Sequence, residues 1–318
     1  MNYELKKIDF KRWNDLLEHS PQGTYFLHTE FLKIFGVKIE FYALFQREKL
    51  LVGVPVIDTK NLNRKFLPQC YYQGPVFAGN IFEKSPRKST HLQVTLIDEL
   101  LIQLTNHVAD FNFCLHPSFT DVRGFSWFNY HQPKKGLCEI AAQYTASIEL
   151  TNETLISIKS YANKSVRKAL RYSQEREQLS FSKSGSFEAF IGLYKETFQR
   201  QELVVSQETC ELFRSYCNFF KSLGNGHFVS VCNRDNECVA TGFMFKDYDN
   251  SWQVPFAAMS EARYAGTLLY FGMIEMALAD HATKIDFNGA NSPQRSKFKH
   301  SIGAKPELYF TVSFRSKH

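Results

Sequence analysis

Two stretches of the chain repeat one order of apolar and polar positions. In the later one, HFVSVCN (227–233) turns through RDNE into CVATGFMFKD, which turns through YDN into SWQVPFAA. Alternating apolar residues joined by short polar turns predict a three-strand meander. Leu269, Met273, Met276 and Ala277 then recur at helical spacing and predict an amphipathic helix over 266–281, with a strand over 284–289 behind it. The earlier stretch runs FYALF, a turn at QREK, LLVGVPVI, the segment QCYYQGPVFAG, a helix over 91–109 and a strand FNFCLH. The N-terminal MNYELKKIDFKRW reads as a first strand. The shared order predicts an α+β protein of two tandem domains, 1–145 and 146–318, each a mostly antiparallel sheet flanked by helices. No residue-level identity ties the halves, so the repeat is one of pattern.

Composition narrows the classes. The 318 residues are 44% hydrophobic and 22% charged, ordinary for a globular protein. No run approaches the ~18 apolar residues of a spanning helix. The first residues lack the apolar core of a signal peptide, and a cytoplasmic location is expected. Seven cysteines without C-x-x-C spacing, most inside apolar runs, suit free thiols in a reducing compartment. Histidines do not cluster with cysteines or acids at ligand spacing, so no metal is expected. A net charge of +6 is too mild to imply DNA binding.

Local chemistry says more. The turn Arg263-Tyr264-Ala265-Gly266-Thr267 opens the 266–281 helix. A glycine-opened helix leaves its first N–H groups unpaired, which suits a phosphate or pyrophosphate; a packing glycine is the plain alternative. Lys164, Arg167, Lys168 and Arg171 recur at i, i+3, i+4 and i+7 and form one basic stripe. Such a stripe is either a solvated face or a seat for a pyrophosphate, a lipid-linked sugar phosphate or a tRNA end. No G-x-S-x-G elbow or GK[ST] loop occurs, and Cys232 and Cys238 sit in a hairpin that suggests packing.

The stretch from Arg263 to Ala304 resembles the acyl-CoA-binding half of GNAT N-acyltransferases, whose [QR]-x-x-G-x-[GA] turn precedes a helix, a strand and a second helix. Arg263 and Gly266 fill the first and fourth places, and Leu268 stands where Gly or Ala is usual. Phe298 stands near the tyrosine that often serves as general acid, and a phenyl ring has no proton to give. Tandem GNAT-like domains resemble the FemAB-like family. SPQGTYFLHTEFLKIFG (20–36), YYQGPVF (71–77), LHPSFTDVRGFSWFNYH (115–131), SYANKSVRKALRYSQEREQLSF (160–181), FEAFIGLYKETFQRQ (187–201) and IDFNGANSPQRSKFKHSIGA carry the likeness in colinear order. The branch resembled is that of BioF2-like acetyltransferase domain proteins, related to the Fem peptidyltransferases.

The resemblance implies an N-acyltransferase using acetyl-CoA or another acyl-CoA on a small-molecule or envelope-precursor amine, an amino sugar or amino acid. The donor is expected at Arg263, Ala265, Gly266, Thr267 and Leu268, and the first domain, with SPRKSTH in place of the glycine turn, is expected to hold none. Asp286, Asn288 and Ser292 are the candidates for catalysis. Asp286 is either a carboxylate that removes the amine's proton or a cap on the next loop, and Asn288 and Ser292 either bond the acceptor or shape the turn. The acceptor is expected between the domains, against Lys164, Arg167, Lys168 and Arg171, with Asp121 and Arg123 nearby and Tyr71, Tyr72 and Gln73 lining the cleft. Asp121 and Arg123 otherwise pair structurally. Two other readings stay open: a Fem-type transferase using aminoacyl-tRNA on a peptidoglycan precursor, and an inactive binding module.

Overall fold

The computed structural model describes residues 2–200 and 202–316. The chain divides into two compact units. One runs through Gln143 and resumes at Leu308; the other is Tyr144–Glu307. The stretch from Leu308 thus groups with the first unit, whereas the sequence pattern carried the second domain on to 318.

The first unit opens with β1 (Tyr3–Ile8) and α1 (Phe10–Glu18). Asp9 caps α1 by accepting from the Arg12 N–H at 2.8 Å, and the helix buries Trp13, Leu16 and Leu17. After α2 (Thr29–Lys33), the strands β2 (Ile39–Gln46), β3 (Lys49–Ile57) and β4 (Val76–Phe77) line up beside β1 in chain order, all antiparallel. The hairpin between β2 and β3 turns at Arg47, whose φ is +58°. Next come α3 (Pro86–Leu104), β5 (Asp110–Cys114) and the short α4 (Arg123–Ser126). The inner face of α3, Leu96, Ile97, Leu100, Leu101 and Leu104, joins a core rich in phenylalanine. Residues 105–109, expected as helix, lie outside α3. Proline at the first position of α3 sets its start, because the missing N–H would be unpaired there anyway.

The second unit begins within β6 (Glu139–Glu149). It continues through α5 (Leu155–Tyr161), α6 (Lys164–Glu175), β7 (Ser180–Ser182), α7 (Phe187–Gln199) and α8 (Gln207–Ser222). The meander follows as β8 (Gly226–Cys232), β9 (Cys238–Lys246) and β10 (Trp252–Met259), then α9 (Ala265–Ala279), β11 (Lys284–Asp286) and α10 (Pro293–Ser301); the unit ends inside β12 (Lys305–Arg315), which from Leu308 on groups with the first unit. Within this unit the strand order is β6-β11-β10-β9-β8-β7. All these pairings are antiparallel except that of β10 with β11, which the crossover through α9 makes parallel.

The expected amphipathic helix is something else. In α9 every residue from Thr267 to Ile274 is buried, as are Ala265 and Ala277, so the helix is enclosed on nearly all sides. Leu269, Met273 and Ala277 form only part of that contact. Gly272 lets α9 sit against β7: a Cβ there would lie 2.2 Å from Cδ2 of Phe181. Gly272→Ala is therefore expected to lower stability by about 1–3 kcal/mol in urea denaturation, since the ring must leave its place.

Candidate active site

Strands β10 and β11 pair over two positions only, Trp252 with Ile285 and Gln253 with Asp286. Beyond them the neighbours change. Phe287 N donates to Ala146 O at 3.0 Å and Ala290 N to Tyr144 O at 2.8 Å, so this segment stays with β6. Meanwhile β10 runs on beside β9 to Met259, with an extra residue between Gln253 and Phe256 that breaks the register. The two chains part and open a wedge whose apex is Gln253–Asp286. The strand expected over 284–289 ends at Asp286 because Asn288 and Gly289 take successive left-handed conformations, φ +47° and +51°.

The apex is polar and buried. Asp286 Oδ1 accepts from the Thr145 hydroxyl and from Asn288 N, the latter at 2.9 Å. Asn288 Nδ2 donates to Gln253 Oε1 at 2.8 Å across the wedge, while Asn288 Oδ1 is buried without a hydrogen-bond partner. The two left-handed residues turn three carbonyls, those of Phe287, Asn288 and Gly289, toward one point. Lys299 Nζ from α10 donates to all three, at 2.9 Å to Phe287 and 2.8 Å to Gly289. The three donors of an ammonium match three convergent carbonyls. Burial pushes Lys299 down to about 8, with Asp286 opposing the shift and Arg295 adding to it.

At the far end of β10 the chain enters α9 through Tyr264, whose φ is +65°, and no side chain caps the helix. Ala265 N turns back to Ala262 O at 3.4 Å, and no side chain takes the N–H groups of Gly266 and Thr267, which are left for a ligand or water. A Cβ on Gly266 would stand 2.8 Å from Met259 Sδ, so glycine lets α9 start close against β10. The side chain of Leu268 is buried in the core and presents only backbone at the turn.

Residues 160–300 match the family model described as an acetyltransferase (GNAT) domain. The matched residues lie within the second unit, which is thus similar to a GNAT acetyltransferase domain. FemX superposes with a TM-score of 0.65 at 10% identity, covering 96% of each chain. The L-PGS of Bacillus licheniformis gives 0.53 at 13% identity, over 96% of this chain and 91% of its own. A tandem GNAT protein from the clavulanic acid biosynthesis pathway, solved without AcCoA, gives 0.52 at 9% identity, over 100% and 99%. The fold of the chain is thus FemAB-like, two GNAT-like units in tandem. No curated protein matches the sequence.

Around the α9 turn the second unit gathers positive charge. The Tyr172 ring of α6 lies 6.3 Å from that of Tyr264. Lys168 Nζ sits 5.2 Å, Arg171 Cζ 5.3 Å and Arg176 Cζ 3.6 Å from the centre of the Tyr172 ring, and Arg263 Cζ 5.4 Å from that of Tyr264. Burial alone would raise the Tyr172 hydroxyl; Arg171, Arg176 and Lys168 outweigh it and leave it below the usual phenol value. Half of the sequence-read stripe, Lys168 and Arg171, thereby shares a surface with the Arg263–Gly266 turn. Lys164 and Arg167 lie at the start of α6, where Arg167 Nη1 bonds Ser160 O at 3.1 Å.

The remaining candidates have other surroundings. Ser292 is exposed at the N-cap of α10. In the first unit Arg123 Nε lies 2.9 and 3.1 Å from the two oxygens of Asp121, and Arg123 Nη2 2.6 Å from Oδ2. This fork holds the Asp121 carboxyl below the usual range. Tyr72 and Gln73 are interior: the Gln73 side chain bonds the carbonyls of Leu67 and Cys70. Tyr71 is half-buried, its hydroxyl 2.7 Å from Gln69 Oε1. Burial and Cys232 push the Cys238 thiol up, away from a nucleophile's range.

Sequence reasoning gave Lys299 and Tyr172 no role. The Asn288-Gly289 pair signals a left-handed turn, and a lysine on the helix just after it was the available clue.

Proposed function

We propose that the protein is a cytoplasmic N-acyltransferase that moves an acyl group, most simply acetyl from acetyl-CoA, to an amine of an envelope sugar or amino-acid precursor. The wedge beside the uncapped, cation-ringed start of α9 carries the reading. It sets an opening in the sheet for a thioester next to a seat for its phosphates. In the step itself the neutral amine attacks the thioester carbonyl, a C–N bond forms, the C–S bond breaks, and the amine's proton passes to the departing thiolate, which leaves as the CoA thiol. The GNAT domain contributes position and dipoles. The main chain of β10 past Gln253, without β11 beside it, faces the carbonyl. Asn288 Oδ1 accepts from the attacking amine. Asp286, engaged by Thr145 and by Asn288 N, holds that turn in place. Ser292 borders the acceptor.

In this reading Lys168 and Arg171 serve the donor, because Tyr172 packs on Tyr264. Arg263→Glu is then expected to weaken CoA binding about tenfold or more by calorimetry, while Arg167→Ala, set away from Tyr172, changes it less than about twofold. Wild type that binds no CoA removes the reading.

The reach of positive charge from Lys164 to Arg176 favours a second reading, an aminoacyl-tRNA donor for a peptidoglycan-precursor acceptor. Binding of aminoacyl-tRNA with a steep salt dependence, and none of CoA, would select it. Among the described residues no helix is long and apolar enough to cross a membrane.

A further inference from the structure

The first unit holds a groove that acyl transfer does not use. It runs along the outer side of α3, between that helix and the segment after α4, as two adjoining cavities of about 740 and 610 Å³. Asp98, Trp127, Tyr130 and His131 line both. Trp127 is 53% exposed and Tyr130 68%, an unusual outlay of aromatic surface for side chains that bury well. The two rings are not loose: Arg123 lies 5.3 Å over Trp127, and His131 packs edge-on to Tyr130 at 5.1 Å. Arg123 is itself fixed by its fork with Asp121, so Trp127 stands on a braced support. Asp98 lines the same two cavities, half-buried, with no hydrogen bond or ion pair to any described residue. Burial raises its carboxyl above the usual value. Asn106, Asn129, Gln132 and Lys135 add to the polar lining.

Flat rings beside a carboxylate and amides are the two halves of one recognition chemistry. A pyranose presents an apolar C–H face and a rim of vicinal hydroxyls. The face stacks on an aromatic ring, and the rim donates to carboxylate and amide oxygens. A hydroxyl rim suits Asp98 because it satisfies a part-buried carboxylate without adding charge. From the rings, the unpartnered carboxylate and the cavity together, we propose that this groove is a saccharide-binding site, taking two or three sugar units.

The chain has three tryptophans, and Trp13 and Trp252 are buried, so Trp127 is the solvent-facing fluorophore. Titration of the full chain with chitotriose, cellotriose and maltotriose is expected to blue-shift its emission for at least one of them, with a Kd of about 1 mM or tighter. Asp98→Asn should weaken that binding at least about fivefold, and Trp127→Ala, followed by isothermal calorimetry, should abolish it, with the far-UV circular dichroism of both variants unchanged. No response to any of the three at about 10 mM would overturn the proposal. So would sugar binding that survives Trp127→Ala. CoA binding is expected to be the same in both variants, so failure here is separable from failure of the acyl-transfer reading.

Discussion

Lys299→Met is expected to lower acyl transfer about a hundredfold and to cost about 2–4 kcal/mol of stability. The methionine fills most of the same space, but the carbonyls of Phe287, Asn288 and Gly289 lose the donor they share. Buried acceptors left without donors are costly, and the left-handed turn that brings them together has then no reason to persist. Asn288 sits in that turn, so its bond to Gln253 and its free Oδ1 move with it. Donor binding rests on the start of α9, and the CoA Kd should change less than about threefold. Wild-type turnover in the variant would remove Lys299 from this role. A second signature is pH. The folded value of about 8 lies below the ordinary 10.5, so the unfolded chain holds this proton over a range where the folded one has released it. Stability from this group therefore rises with pH between about 8 and 10.5, and that limb should vanish in Lys299→Met when urea midpoints are compared.

Gly23→Ala is expected to destabilise the first unit by about 3 kcal/mol or more. A Cβ at this position would lie 1.9 Å from the carbonyl oxygen of Leu17 and 3.0 Å from that of Ser20. Both are main chain at the end of α1, and neither can swing aside as a side chain tip would. The turn also brings Gln22 inward, where its Oε1 accepts from Phe77 N at 3.1 Å, so displacing it disturbs β4. Gly192 makes the control. A Cβ there meets nothing within 4 Å, and Gly192→Ala in the exposed face of α7 should stabilise by about 0.5–1 kcal/mol. Urea denaturation of both variants measures the contrast, and equal midpoints would refute it.

Much of the fold was legible because it rests on local pattern. The meander of β8, β9 and β10 follows from alternation and polar turns, and the glycine turn marks the start of α9 to within one residue. The buried character of α9 was less readable. Its sequence, AGTLLYFGMIEMALA, is apolar nearly all round, and selecting one row of residues from it suggested a face that does not exist. The wedge was not readable at all, since it depends on how far β11 follows β10 before leaving with β6, a matter of long-range register. Asp286 and Asn288 stand out in the sequence only as residue types. Their partners, Thr145 and Gln253, are far away in sequence, and only the packed sheet brings them together. The basic stripe illustrates the same limit: its spacing is a property of α6, while its division between Ser160 and Tyr172 is set by what α6 touches.

The last strand of the first unit has a consequence for how the chain is made. Thr311–Arg315 of β12 pairs with Cys114–Asp110 of β5, and Phe314 stacks on Phe111 at 5.2 Å. Until these residues leave the ribosome, β5 presents an unpaired edge and an uncovered phenylalanine row. At about 5–20 residues per second, the wait lasts on the order of ten seconds or more after β5 emerges. The half of the protein that is synthesised first thus cannot complete its sheet until the other half has been made.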